Sequence, residues 1–163
     1  MTLSFYGVLL PNFVFLETKK MVSSMKSEII VKGLIVREPY ATMIIQGIKR
    51  WEIRNKRTKT RGKIAIITKK RIIGFVELVG IKGPFTVNEL MEFYEYHRAD
   101  PFELKKVSRG KLLYAWELDN PIKLREPIQI KFPRGPVTWV NIRPEMLFND
   151  KDLLHLISIL KTS

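Results

Sequence analysis

A lysine, a glutamate and an arginine lie within six positions of one another, at Lys49, Glu52 and Arg54, beside Trp51. A lysine at the mouth of an apolar pocket acquires a lowered pKa and can act as a base or a nucleophile. A glutamate between two arginines stays ionised, and it either lines a site or forms an ion pair that only fixes a strand. The stretch 47–54 therefore predicts a site for binding or for catalysis.

A second carboxylate, Glu77, stands inside the apolar segment 75–79. On strict strand alternation it shares a face with Phe75 and Val79, where a carboxylate needs a charged partner or a functional site. A lysine from a neighbouring strand would meet either requirement. Glu77 is therefore the second candidate for acid–base chemistry.

The segment 49–71 carries most of the positive charge. It holds eleven basic residues and one acid in 23 residues, in a chain whose formal net charge is +13. Phosphate binding needs many cations on one surface, since each neutralised phosphate releases counterions. A generally charged, heat-adapted surface is the alternative, but the uneven distribution favours a nucleic-acid partner. The cations expected to hold a phosphate backbone lie in the loop 55–63: Lys56, Arg57, Lys59, Arg61 and Lys63.

Large aromatic residues accompany these charges and suit the stacking of unpaired bases. They are Tyr40, Trp51, Tyr114, Trp116 and Trp139. Aromatic residues of a β-domain are more often part of its core. Tyr40 and Trp139 adjoin turn segments, so these two are the favoured stacking residues.

The composition limits the classes of protein and of chemistry that this chain can belong to. A chain of 163 residues, 45% hydrophobic and 28% charged, fits one globular domain. It has no cysteine, which excludes disulfides and thiol chemistry, and its two histidines, His97 and His155, are interpreted as packing or surface residues. We expect no metal and no cofactor. Residues 1–27 are too short and too interrupted for a membrane span, so we expect an N-terminal extension, no membrane partner and a cytoplasmic location.

Short strands with short connections predict an α+β fold built on a small β-barrel or sandwich. Strands are predicted at 28–36, 49–54, 63–68, 71–79, 112–118, 128–132 and 137–142. Helices are predicted at 39–46, within an insertion at 84–110 with Thr86 and Asp100 as caps, and after Asn149 or Asp150. In a regular strand, Lys49 and Trp51 face one way and Glu52 faces the other. A bulge or strong twist near 47–52 would bring them into one cleft; otherwise Lys49 or Glu52 is structural.

The order of the motifs resembles the ASCH domain, a family named for homology to activating signal cointegrator 1. The resemblance rests on LIVREPYA at 34–41, G-x-K-x-x-E-x-R at 47–54, RGKI at 61–64, GFVEL at 74–78 and KFPRGPVTW at 131–139. It covers about 28–147, between the extension at 1–27 and a C-terminal helix at 148–163. It implies a PUA-like fold: a small, mostly antiparallel β-barrel with flanking helices and a cleft lined by the 47–54 strand.

The resemblance also implies two functions. Family members are regarded as RNA-binding or nucleic-acid-binding modules. Some bacterial relatives are amidohydrolases that remove the acyl group from N4-acetylcytidine, and a ribonuclease activity is also described. In the amidohydrolases, residues matching Lys49 and Glu77 are catalytic, and a threonine stands where this chain has Glu52.

The leading hypothesis is an RNA-binding module whose basic cleft takes a single-stranded or modified base. The alternative is an amidohydrolase for N4-acetylcytidine-type nucleosides with Lys49 and Glu77 as catalytic residues, and a third is an adaptor that binds proteins through 84–110 and the C-terminal helix. The residues expected to contact nucleic acid are Arg37, Tyr40, Lys49, Trp51, Glu52, Arg54, Lys56, Arg57, Lys59, Arg61, Lys63, Arg134 and Trp139.

Overall fold

The structure is a computed structural model that describes residues 16–17, 19–20, 23–24, 28–132, 134–135 and 137–162. Most of the predicted extension at 1–27 therefore lies outside the described residues. The strands are β1 (Val31–Ile35), β2 (Trp51–Arg54), β3 (Gly62–Thr68), β4 (Arg71–Phe85), β5 (Leu113–Gln129) and β6 (Trp139–Ile142). The helices are α1 (Tyr40–Ile45), α2 (Val87–Met91), α3 (Tyr94–His97), α4 (Pro101–Ser108) and α5 (Asp150–Lys161), with a short 3-10 helix at Pro144–Met146. Over the described ranges, no helix is long and apolar enough to cross a membrane.

All six strands form one sheet in the order β2-β5-β4-β3-β1-β6. β1 and β3 run parallel, and the other neighbouring pairs are antiparallel. The mixed α+β class is thereby confirmed. Within the described part of the chain, β2 pairs only with β5 and β6 only with β1. The sheet is therefore open, and the predicted closed barrel is not confirmed.

Helices cover the sheet because apolar side chains alternate along its strands. Ile66 packs with Ile44 of α1, whereas its neighbour Ile67 packs in a separate cluster with Leu153 and Leu156 of α5. The side chain of Asn149 caps α5 by accepting a hydrogen bond from the backbone N–H of Asp152 at 2.8 Å, which confirms the predicted helix start.

The predicted helical insertion is confirmed as the three short helices α2, α3 and α4. Thr86 forms a full capping box with Glu89 at the start of α2, and the Asp100 side chain accepts from the N–H of Glu103 at 2.9 Å. These helices bury Leu90 and Leu104 in the same apolar cluster as Trp51 and Ile53 of β2. The insertion is therefore part of the structure that holds β2 in place.

The predicted ends of β4 and β5 and the predicted start of β2 are wrong. β4 was expected to end at 79 and continues to Phe85. β5 continues past its predicted end at 118 and through 119–121. Of the separate strand expected at 128–132, residues 128–129 are the end of β5, and Ile130 forms only an isolated bridge with Leu147. The ladder shifts register between Phe75 and Glu77 of β4, and Asn120 has a φ of +49°, so a bulge absorbs the extra residue without ending the strand. β2 begins at Trp51, two residues later than predicted, which leaves Lys49 outside the strand.

Candidate functional site

A cleft of about 800 Å³ is walled by the segment after β1, by β2 and the loop after it, by α4 and by the start of β6. Its lining contains eight basic residues and two acids. The basic residues are Arg37, Lys49, Arg54, Lys56, Arg57, Lys106, Arg109 and Lys111. The acids are Glu52 and Glu103. The lining therefore attracts anions, and the volume suits a ligand of nucleotide size.

The buried Lys49 and Glu52 and the part-buried Arg54 form a charged row in this cleft. The Nζ of Lys49 lies 3.5 Å from Oε2 of Glu52, and Nη2 of Arg54 lies 3.0 Å from Oε1 of the same carboxylate. The side chains of Lys49 and Glu52 are only 3% and 10% exposed. The carboxylate is thus held between two cations and forms an ion pair with each. The pair with Lys49 is shielded from water.

The row forms because Lys49 precedes β2 instead of alternating within it. Its backbone N–H, like that of Ile48, donates to the carbonyl of Met43 at 3.0 Å, in a turn where Gly47 has a φ of +77°. Glycine adopts this left-handed conformation without steric cost. The turn therefore directs Lys49 toward Glu52, while Trp51 packs on the other side.

Arg54 also connects two parts of the open sheet. Its Nη2 donates to the backbone carbonyl of Ile35, at the end of β1, at 2.8 Å. β2 is an edge strand of the sheet, and β1 lies on the far side of β5, β4 and β3. A side-chain hydrogen bond thus joins strands that share no ladder, and the same guanidinium positions Glu52.

Lys49 is anchored from the insertion as well. Its Nζ donates to the carbonyl oxygen of His97 at 2.6 Å, and it lies 5.0 Å from the centre of the Tyr40 ring. Burial lowers the pKa of Lys49, while the charge and hydrogen bond of Glu52 act in the opposite direction. The ammonium group therefore depends on its partners to remain charged.

His97 is itself fully buried and fixed in one tautomer. Its Nδ1 accepts from the N–H of Ala99 at 3.0 Å, so Nε2 carries the proton and donates to the carbonyl of Leu90 at 2.7 Å. Burial lowers the pKa of His97, and the nearby Lys49 charge lowers it further. The prediction of His97 as a packing or surface residue did not include this support of the cleft.

Aromatic rings form another part of the lining. Trp116 and Trp139 stack with ring centres 5.6 Å apart and planes 12° apart, and both line the cleft. The indole N–H of Trp116 donates to the carbonyl of Lys56 at 2.9 Å. Trp116 is buried and Trp139 is half-buried, so the ring available for further stacking is that of Trp139.

The rim carries cations on two facing segments. Lys56 and Arg57 stand in the loop after β2, and Lys106, Arg109 and Lys111 stand on α4 or just after it. The sequence prediction found only the first segment. The missed signal was the run of basic residues that closes α4, which had been interpreted only as part of a helical insertion.

Several predicted site residues lie elsewhere. Trp51 is 5% exposed and packs against Phe93 and Tyr96, with ring centres 5.2 and 4.8 Å away. Glu77 pairs across strands with Lys63 and accepts from Asn120 at 3.3 Å. The predicted residues that do not line the cleft are Trp51, Lys59, Arg61, Lys63, Glu77 and Arg134. Lys49 and Glu77 are therefore not brought together in this cleft.

The open mixed sheet, the flanking helices and the basic cleft are those of a small α+β domain. The sequence profile of the ASCH domain matches residues 34–129, and the chain belongs to this family, whose members are generally RNA-binding.

Solved structures agree with this assignment. The crystal structure of ASCH from Zymomonas mobilis superposes with a TM-score of 0.60 at 21% identity, over 76% of this chain and 92% of that one. A serine-to-alanine mutant of that protein gives 0.60 at 22% identity, over 77% and 94%. A tyrosine-to-phenylalanine mutant gives 0.59 at 21% identity, over 76% and 95%. This likeness shows the fold. A search of curated proteins gave no match.

Proposed function

We propose that this protein binds single-stranded RNA through the basic cleft. The observation that carries the proposal is the set of rim cations without an acidic partner. Among the ion pairs of the described residues, Glu52 engages Lys49 and Arg54, and Glu103 engages Arg37 and Lys106. The cations left over are Lys56, Arg57, Arg109 and Lys111. They stand exposed on both sides of the opening, where phosphates would release their counterions.

The inner part of the cleft suits a base. Trp139 presents a ring already stacked on Trp116, and base–aromatic stacking contributes about 1–3 kcal/mol per base. Lys49 and Glu52 also line the cleft, where they offer a hydrogen-bond donor and an acceptor to the polar edge of a base. An unpaired base can enter such a cleft, whereas the bases of a duplex are held in the stack. The family assignment supports RNA as the partner.

A rim variant tests the proposal. Arg57→Gln combined with Arg109→Gln removes one cation from each side. We expect the slope of log affinity against log salt to fall by about 1.4, since each contact to a single strand contributes roughly 0.7, and affinity near 0.1 M salt to drop about 10–30-fold. Fluorescence anisotropy with a labelled, unstructured RNA measures both quantities.

The matched control is Lys151→Gln with Lys161→Gln, which removes the same charge from exposed positions of α5. Neither residue lines the cleft, so the control should keep most of the affinity and the slope. A wild-type affinity that does not change with salt would rule out phosphate-led binding.

The second candidate is hydrolysis of an N4-acetylcytidine-type nucleoside. One observation favours it: a lysine with a lowered pKa lies beside a carboxylate in a cleft. Water would attack the acyl carbon, the bond to N4 would break, and acetate would leave. Lys49 would accept the proton of the water and return it to the departing nitrogen. Since Glu77 lies outside the cleft, Glu52 is the carboxylate placed to assist Lys49.

Acetate release from N4-acetylcytidine tests this candidate. If the cleft catalyses the reaction, Lys49→Met abolishes turnover because it removes the base, and Glu77→Gln keeps it because that residue does not line the cleft. Loss of turnover in Glu77→Gln with retention in Glu52→Gln would reverse the assignment of the carboxylate. Absence of turnover in the wild type would eliminate the hydrolase.

A further inference from the structure

The hairpin between β3 and β4 has lysines at positions that disfavour them. Thr68 pairs with Arg71, so Lys69 and Lys70 form a two-residue turn, and both have positive φ values, 49° and 62°. Positive φ at both positions is the type I′ geometry, for which Asn-Gly is the strongly preferred pair. A side chain with a Cβ is disfavoured in this left-handed region. Two lysines there indicate a use for their charge.

The turn is also strongly cationic and uncovered. Lys69, Lys70 and Arg71, here called the basic turn, are all exposed. The ion pairs found among the described residues include none of the three. The N–H of Ile130 donates to the carbonyl of Lys70 at 3.1 Å. The next residue, the exposed Lys131, therefore lies on the segment that adjoins the basic turn. The basic turn is therefore a concentrated charge on a rigid hairpin.

The basic turn lies beside the cleft without lining it. β1 and β3 are parallel neighbours, with Ile35 paired to Ile67 and the N–H of Val36 bonded to the carbonyl of Ile67 at 2.9 Å. The segments that follow β1 and β3 therefore leave the sheet at the same end of these strands, about 4.8 Å apart. One continues to Arg37, which lines the cleft, and the other to Lys69. An RNA strand that left the cleft past Arg37 would therefore run toward the basic turn.

We propose that the basic turn is a second phosphate-binding element, which holds the backbone of single-stranded RNA where it extends beyond the cleft. The proposal rests on the proposed RNA-binding function and adds that the ligand is an oligonucleotide longer than the cleft holds. Lysines bind phosphates as mobile point charges with three donors each. A free nucleoside, in contrast, would have no contact with this turn.

The test replaces the turn with its preferred residues, as Lys69→Asn with Lys70→Gly. Because Asn-Gly suits the observed geometry, we expect the melting temperature to rise by a few degrees. The affinity for an unstructured RNA of about 14 nucleotides should fall about 10–30-fold near 0.1 M salt, with a salt slope smaller by about 1.4. The affinity for an RNA of about 4 nucleotides, short enough for the cleft alone, should stay within about twofold.

The pair Lys151→Gln and Lys161→Gln on α5 controls for net charge. The proposal is overturned if the longer RNA binds the turn variant as tightly as the wild type. It is also overturned if the loss is equal for both RNA lengths and for the α5 control, since net charge alone would then explain it. Failure of the wild type to bind either RNA would remove the proposed function itself, a result distinct from normal binding that ignores the turn.

Discussion

Replacing Glu52 by glutamine is expected to lower the free energy of unfolding by about 3–5 kcal/mol, the usual cost of leaving a buried charge without its partner. The Glu52 carboxylate is the counter-charge shared by Lys49 and Arg54, at 3.5 and 3.0 Å. Glutamine keeps the volume and removes the charge. Lys49 is 3% exposed and then has only neutral acceptors, the glutamine oxygen and the carbonyl of His97, and no counter-charge. The pKa of its ammonium, already lowered by burial, also loses the opposing effect of Glu52.

The ion pair of Lys82 and Glu117 provides a matched control. Its N–O distance is also 3.5 Å, but the two side chains are 54% and 29% exposed. Exposed pairs contribute about 0–1 kcal/mol, so Glu117→Gln should change stability little. Urea unfolding of both variants measures the difference. Equal, small losses would contradict the burial of the charged row and would leave Glu52 as an ordinary surface partner.

The double variant Lys49→Met with Glu52→Gln separates the two sources of this loss. If the damage in Glu52→Gln comes from the unpaired ammonium, replacing Lys49 by an apolar side chain of similar length should recover part of the stability. Arg54 would still reach the carbonyl of Ile35. A double variant less stable than Glu52→Gln would place the main role of Lys49 in its bond to His97.

Local signals in the sequence were sufficient for most of the fold. The capping residues Thr86, Asp100 and Asn149 each mark a helix start that the structure contains, because a cap is satisfied within a few residues. The lengths of β4 and β5 were not predictable in this way. The residues at 119–121 are the same types in a turn and in a bulge, and only pairing with β4 decides between them.

The site was predicted in part, for a related reason. Alternation separated Lys49 from Glu52 because it assumed one regular strand, whereas the turn after α1 fixes the direction of Lys49. Arg109 and Lys111 are distant in sequence from the basic segment 49–71, and tertiary packing alone brings them to the same cleft. Their role as a second wall required the position of α4.

The stability of the protein is expected to fall as the pH drops below about 6.5, because of His97. Burial and the Lys49 charge lower the pKa of His97 from its usual value of 6.5. Between the lowered pKa of the folded state and 6.5, the histidine is therefore protonated in the unfolded chain and neutral in the folded chain. The stabilisation is complete at pH values above the pKa of His97 in the unfolded chain. It is lost as the pH falls toward the lower pKa of the folded state, by up to about 1.4 kcal/mol per pH unit.

The structure indicates what this protonation would break. Nδ1 of His97 accepts from the N–H of Ala99, and a protonated ring cannot accept. The groups facing the ring are the Lys49 ammonium, which repels the new charge, and Tyr94, whose ring lies edge-on at 5.9 Å. Residues 97–99 would have to rearrange, and the carbonyl that holds Lys49 belongs to the same segment.

Urea unfolding between about pH 5 and pH 7.5 measures the effect in the wild type, in His97→Gln and in His155→Gln. His97→Gln should be less stable at neutral pH, since it removes an imidazole ring that is 0% exposed, and its stability should depend less on pH. His155 is exposed on α5, so His155→Gln should keep the wild-type slope. If His97→Gln also keeps the wild-type dependence of stability on pH, other groups cause that dependence. Protonation of His97, and any rearrangement of the carbonyl that holds Lys49, then has no influence on stability in this pH range.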